Sequence, residues 1–313
     1  MDHFDMVRII AVREKLFPDL SEDCWLLLCD GYGGQAEFTR FVALDRLLSS
    51  GDFPAEGIDV SQREWELWNF RLRPFLLPSP ARQWYMAATS ARDAKRLGDV
   101  ARVGIGYVSG AKDFFHLRPS QSRALAIPGK LLHATVRNGR RLSHGCVDDR
   151  CVRSWIAADD AVLLLRLNAT GTVPGSVRRY LDSEAGQMAR ESYKCRNRNP
   201  WYSVPDVTVP DGFLSYMSGN HPILSKNVAG CVCTNSVDAI HLRDGMTMAQ
   251  LRKRWATPKT ALSCELEGHP LGGGMLKLEP REAARVLLGG TLASLAPDLP
   301  LLTSAIGTMR QWR

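Results

Sequence analysis

Two short apolar runs near the start constrain the fold more than any other feature of this chain. Val7 to Val12 carries Ile9, Ile10 and Val12, and Cys24-Trp25-Leu26-Leu27-Leu28-Cys29 contains no polar residue apart from its thiols. Runs this short and this apolar predict strands. A strand that is apolar on both faces needs a sheet covered on both sides. Two strands cannot supply that cover. The expectation is therefore a chain that opens inside a sheet, with most of that domain lying before Met1.

The following residues predict a strand and turn over 38–48 and a loop over 49–57. Gln62 to Arg73 places Trp65, Trp68 and Leu72 at helical spacing. Pro74 to Pro80 reads as a linker, and Ala81 to Leu97 as a helix. From Gly98 the texture changes. Short strand candidates (Val100 to Val108, Ala124 to Ile127, Ala161 to Leu167, Gly230 to Thr234) alternate with Gly, Pro and Asn, which predicts a mainly β domain with irregular loops. Helices are expected over Val177 to Tyr193, Thr247 to Trp255, and Pro280 to Leu288.

At 313 residues the chain is long enough for one large or two medium domains. It carries 40 Lys and Arg against 33 Asp and Glu, a net charge of +7. That excess suits a polyanionic partner without requiring one. No apolar run approaches the ~18 residues of a membrane helix, so no membrane association is expected. The acidic start Met1-Asp2-His3-Phe4-Asp5 is not a secretory signal. The eight cysteines have no framework spacing, which reads as reduced thiols in a cytoplasmic protein.

Several motifs that would name a chemistry are incomplete. Gly31-Tyr32-Gly33-Gly34 follows a strand, but no crossover helix or acidic partner follows it. Gly104-Ile105-Gly106-Tyr107-Val108-Ser109-Gly110 has the wrong glycine spacing for a dinucleotide fingerprint. Cys146, Cys151 and His144, or Cys231, Cys233, His221 and His241, lack the paired spacing of a structural zinc site, so no metal is expected. The most informative polar segment is Tyr193-Lys194-Cys195-Arg196-Asn197-Arg198-Asn199-Pro200-Trp201-Tyr202. Three cations alternate with short side chains, and a proline then delivers two aromatics. Lys194, Arg196 and Arg198 are candidates for phosphate or guanine contacts. Trp201 and Tyr202 suit base stacking or a core equally. Arg137-Asn138-Gly139-Arg140-Arg141 and Arg252-Lys253-Arg254 are further basic segments, suited to DNA or to a solvated face.

Five blocks, in order, resemble the C-terminal part of the gamma-type, TaqI-like adenine-N6 DNA methyltransferases of restriction-modification systems. The first comprises Val7 to Phe17 with Trp25 to Leu28, similar to the last strands of that family's catalytic domain. The second, Val103 to Phe115, resembles the opening of its target-recognition domain, with Lys112 where the family has Asn. The third is the Tyr193 to Tyr202 segment with Ser203-Val204-Pro205, where the family has a similar Arg-x-Pro-Trp-Tyr. Leu224 to Gly230 with Thr234-Asn235-Ser236 is the fourth. Ser263 to Gly268 with Gly272 to Pro280 is the fifth.

The resemblance implies an α+β fold in which edge strands of a truncated α/β methyltransferase sheet precede a mainly β target-recognition domain with a few helices. The implied divisions are 1–48 for the sheet remnant, 49–97 for a helical linker, 98–279 for the recognition domain and 280–313 for a C-terminal helical segment. The implied partner is double-stranded DNA. The implied cofactor is S-adenosylmethionine, bound by a part outside this chain that a protein partner would supply. Asn199-Pro200-Trp201-Tyr202 lacks the second proline of the family's catalytic loop and falls at its recognition-domain position, so no catalytic residue is assigned. Lys112, Asn227 and Lys277 join the candidate DNA contacts, together with the glycines Gly272, Gly273 and Gly274, which let a backbone pass close to DNA.

Overall fold

The computed structural model describes residues 1, 3–17, 19, 24–47, 56–142, 145–167, 172–271, 273–290 and 298–313. The opening runs do form strands. β1 (Phe4–Val12) pairs antiparallel with β2 (Cys24–Tyr32) and parallel with β3 (Phe38–Leu44), and β4 (Ile58–Ser61) completes the order β2-β1-β3-β4. β1 is central, and Ile9 to Val12 are buried on both of its faces. β2 is not covered in the same way. It is an edge strand whose Leu27 sits opposite Ile9 and remains 65% exposed. Cover on both faces was expected for both strands and is found for β1 alone, because among the described residues nothing pairs beyond β2.

The remaining strands are short: β5 (Ala101–Ile105), β6 (His116–Leu117), β7 (Leu132–Val136), β8 (Cys146–Val147), β9 (Leu163–Leu165), β10 (Gly212–Ser215), β11 (Met217–Ser218), β12 (Leu224–Asn227), β13 (Val232–Cys233), β14 (Val237–Leu242), β15 (His269–Pro270) and β16 (Leu276–Lys277). They form sheets in the orders β5-β14-β10-β12-β8, β13-β7-β9-β6 and β11-β16-β15. Helices separate them, so the fold is mixed α+β, and the mainly β texture expected after Gly98 is not what forms. The reason is local. Segments read as loops or strands carry helix-start signals. Asp148 and Thr257 each cap a helix through the side chain, and prolines occupy first turns at Pro119 and Pro258.

Four readings change for related reasons. Ala124 to Ile127 is not a strand. The helix Pro119–Ala124 ends there, with Ala126 at φ +49° in the turn. Val177 to Tyr193 is three helices, Gly175–Leu181, Glu184–Glu191 and Tyr193–Arg196, because Ser183 and Ser192 are both extended. The helix at 62 stops at Leu67, since Asn69 and Phe70 turn left-handed at φ +52° and +59°. Pro74 to Pro80 is no free linker: Arg73–Leu76 is a buried 3-10 turn, and a helix starts at Ser79.

One core joins distant parts of the chain. Ile9 and Phe41 from the first sheet meet Trp68, Phe75 and Tyr85, then Leu262 and Leu266, and finally Leu302 and Met309 of the helix Leu299–Gln311. A second core lies beneath residues 107–117 and gathers Tyr107, Phe114, Phe115, Leu164, Val177 and Cys195. Trp201 and Tyr202 pack against this second core. All eight cysteines are free thiols, four of them buried.

Candidate nucleic-acid interface

The segment 107–117 and the segment 193–202 lie far apart in sequence and come together in space. Gly110 adopts φ +90°, and a Cβ there would touch the Lys194 side chain and the Cys195 sulfur. Backbone conformation and close approach both demand glycine. The Arg198 guanidinium fastens the contact. Its Nη1 donates to the Ser109 carbonyl at 2.7 Å and its Nη2 to the Val108 carbonyl at 2.7 Å. Arg198 is thus a brace for the 108–110 turn. Trp201 rests on Phe114, with ring centroids 5.8 Å apart, and Tyr202 packs edge-on to Trp201 at 5.9 Å. The two rings are half-buried against the second core. The Asn199–Pro200 peptide is cis.

Lys194 and Arg196 have a different setting. Both are exposed on the one-turn helix Tyr193–Arg196, and their charges lie 5.8 Å and 5.6 Å from the Tyr193 ring centroid. Among the described residues neither forms an ion pair. Lys194 borders a hollow of 700 Å³, walled also by Arg102, Gly104, Arg198, Asp206 and His241. The face is an aromatic ring flanked by two cations with no ion-pair partner among the described residues, which is chemistry suited to a phosphodiester backbone.

Lys112 is exposed at the start of the turn Lys112–Phe115. Beneath it lies a buried polar chain that sequence inspection did not single out. The His116 Nδ1 is 2.6 Å from the Lys112 carbonyl, and its Nε2 is 2.8 Å from the Tyr107 hydroxyl, which is 2.8 Å from Thr135 Oγ1. A carbonyl can only accept, so Nδ1 carries the proton and Nε2 accepts from Tyr107. Burial lowers the His116 pKa to about 4 and holds the ring neutral. Burial likewise raises the Tyr107 hydroxyl well above its ordinary value. His116 left little trace in the sequence, because Tyr107 and Thr135 join it from separate segments of the chain.

The other candidates are engaged by the chain itself. The Asn227 amide donates to the carbonyls of Pro210 at 2.8 Å and Cys231 at 2.9 Å, and accepts from the Cys231 amide at 3.0 Å. It closes a loop. The Lys277 ammonium pairs with Glu279 at 2.5 Å and lies 5.3 Å from the Tyr216 ring centroid. Gly273 and Gly274 take φ +58° and +78° in the turn between β15 and β16, with open space where a Cβ would stand. Gly272 lies outside the described residues. Lys112 and Lys194 therefore line two hollows that share Tyr107, while Asn227, Lys277 and the glycine turn sit on other elements.

The glycine turns differ in the room around them. A Cβ at Gly31 or Gly34 would collide with the Asp5 side chain, and one at Gly106 with the carbonyls of Cys233 and Thr234. A Cβ at Gly33 or Gly104 would meet open space, and Gly104 lines the 700 Å³ hollow. Among the described residues no group of three or more His, Cys, Asp or Glu is placed to hold a metal ion, and His144 lies outside them. Among the described residues no helix is long and apolar enough to cross a membrane.

Comparison with known proteins adds a family to this geometry. Residues 71–309 match the family model "Type II methyltransferase M.Eco57I, C-terminal domain". None of the curated protein sequences compared with the chain matches it. Among solved structures, the type IIG restriction endonuclease BpuSI is similar over 98% of this chain, at 14% identity and a TM-score of 0.47. The chain spans 39% of that protein's length.

Proposed function

This chain belongs to the family of the C-terminal domain of the type II methyltransferase M.Eco57I, and from that premise we propose that it is the DNA target-recognition part of a site-specific methyltransferase. The finer reading is an adenine-N6 enzyme of the gamma, TaqI-like type. The observation that carries the DNA-binding reading is the exposed Lys194–Arg196 pair, of which Lys194 borders the 700 Å³ hollow. In this reading Lys194 and Arg196 hold backbone phosphates. Arg198 acts indirectly, by fixing the 108–110 turn against them.

The proposed division of labour rests on the resemblance of this chain to the C-terminal part of such enzymes. S-adenosylmethionine would supply the methyl group from a site on a catalytic half, and this chain would hold the duplex in register while that half acts on a flipped adenine. We assign residues 1–48 to the edge of the catalytic sheet, 49–97 to a connection, 98–279 to recognition and 280–313 to a closing segment. The exposed edge of β2, with Leu27 65% and Tyr32 86% exposed, is the proposed seat of the protein partner.

An electrophoretic shift series on duplex DNA from low to high salt tests the reading. Affinity is expected to fall steeply with salt, and Lys194→Ala and Arg196→Ala each to lower the slope of log K on log[salt] by about 0.9. A flat salt dependence, or no binding at low salt, overturns it. Adding a catalytic half and labelled S-adenosylmethionine then separates the enzyme reading from that of a non-enzymatic DNA-binding protein or an inactive remnant, neither of which supports methyl incorporation.

A further inference from the structure

A second hollow, of 390 Å³, shares Tyr107 with the hollow beside Lys194. Its volume falls at the lower end of the ~300–1,000 Å³ range of small-ligand sites. Four of its lining residues are permanent cations, Lys112, Arg118, Arg137 and Arg141, against a single carboxylate, Asp160. Arg141 engages that carboxylate at 2.7 Å. The remaining excess of charge has no counterpart in the lining.

The cations are held in place rather than left to wander. Arg118 Nη1 donates to the Asp159 carbonyl at 2.9 Å, and Arg137 Nη1 to the Ala161 carbonyl at 3.2 Å. One turn, residues 159–161, therefore fixes three guanidinium groups. The turn is itself fixed, since Asp159 accepts from the Ser120 amide at 2.8 Å and hydroxyl at 2.6 Å. A guanidinium has five donors, so each of these bonds leaves others for a ligand. Holding the groups in advance removes most of the ordering cost of binding. Arg137 also has Asp113 at 3.9 Å, but that carboxylate is 87% exposed and outside the lining. The floor contributes no charge. His116 is neutral, and the Tyr107 hydroxyl is occupied between His116 and Thr135. A cationic rim over an uncharged floor concentrates positive potential within the hollow.

We infer that this hollow is a binding site for the phosphate group of a nucleotide, gripped by Lys112, Arg137 and Arg141. Planar guanidinium forks match phosphate oxygens in pairs. Ser109, Asn235 and Ser236 in the lining offer neutral hydrogen bonds to the attached sugar. The phosphate has two possible sources, a phosphodiester of bound DNA or a free nucleotide. Only the first source rests on the DNA-recognition reading.

Calorimetric titration of the full chain with dAMP and with inorganic phosphate, paired with duplex shifts across salt, tests the site. Lys112→Ala removes an exposed side chain with no structural bond of its own. Arg137→Gln removes charge at a fixed position, and its melting temperature reports whether the turn survives. Lys130→Ala, exposed and outside the hollow, controls for general loss of charge. Wild-type protein is expected to bind dAMP, with at least a tenfold loss in Lys112→Ala and Arg137→Gln and none in Lys130→Ala. A drop of about one in the duplex salt slope for the same two variants assigns the site to DNA. An unchanged slope with weakened dAMP binding assigns it to a free nucleotide. No dAMP binding by the wild type, together with an unchanged duplex slope in both variants, overturns the inference. Failure of the wild type to bind duplex at all overturns the DNA-recognition reading instead, and the dAMP titration then judges the site alone.

Discussion

Arg196 and Arg198 stand two positions apart and do different work. Arg196 is exposed, with its charge above Tyr193. Arg198 spends its charge on two backbone carbonyls of a turn 89 and 90 residues earlier in the chain. Arg198→Ala is expected to cost about 2–3 kcal/mol in chemical denaturation, since charge-assisted bonds to half-buried acceptors are lost. Arg196→Ala should stay within about 0.5 kcal/mol of the parent. Equal losses would mean that the clamp is not holding the turn. Asp238 is a second residue whose role depends on its surroundings. It is fully buried on β14, and neither carboxylate oxygen has a hydrogen-bond partner among the described residues. Burial, reinforced by Glu279 and Glu282, raises its pKa from 3.8 to about 8. Between those values the folded state holds a proton that the unfolded state releases. Asp238 therefore lowers stability as pH rises, by about 1.4 kcal/mol per unit across that window. Asp238→Asn should melt higher than the parent at pH 8.5, with the gap closing at pH 4. A gap that does not change with pH would refute this assignment.

At the scale of elements, the strands and helices carried by local signals are the legible ones. Thr247 and Gln250 form a reciprocal capping box, and the helix begins at Met248 as its pattern predicts. The run from Val177 to Tyr193 has good helical composition, yet the chain breaks it twice. The serines at 183 and 192 offer extended starts, and packing selects three short helices over one long one. The helix Leu299–Gln311 shows how an element can depend on one distant residue. Glu265, 2% exposed, receives Arg310 at 3.2 Å and Arg313 at 3.2 Å, while Arg73 donates to the carbonyls of Met309 and Trp312. The Arg313 side chain is itself 2% exposed. Glu265→Ala strands that cation and is expected to cost about 3–5 kcal/mol. Hydrogen exchange should quicken across 299–311. Unchanged protection there would show that the apolar face alone holds the helix.

Across the whole molecule, the first sheet, the helix Ser79–Ser90, the helix Pro258–Glu267 and the C-terminal helix share one core. A fragment of residues 98–279 would strip Tyr85, Leu302 and Met309 from Leu262 and Leu266. That fragment is expected to bind a hydrophobic dye and to associate at concentrations where the full chain does not. A monomeric fragment with native-like melting would establish 98–279 as an independent domain. The sequence by itself determined the apolar strand β1, the capped helix at Met248, the basic excess and the order of blocks that points to the methyltransferase family. These are encoded locally, by side-chain period, capping residues and composition. Only the tertiary structure decided which cations have partners, because a guanidinium and an ammonium look alike in sequence whether a carbonyl, a carboxylate or solvent faces them. It alone seated Arg198 and Asn227 in the scaffold, left Lys112, Lys194 and Arg196 exposed, and assembled the His116–Tyr107–Thr135 chain from three separate segments.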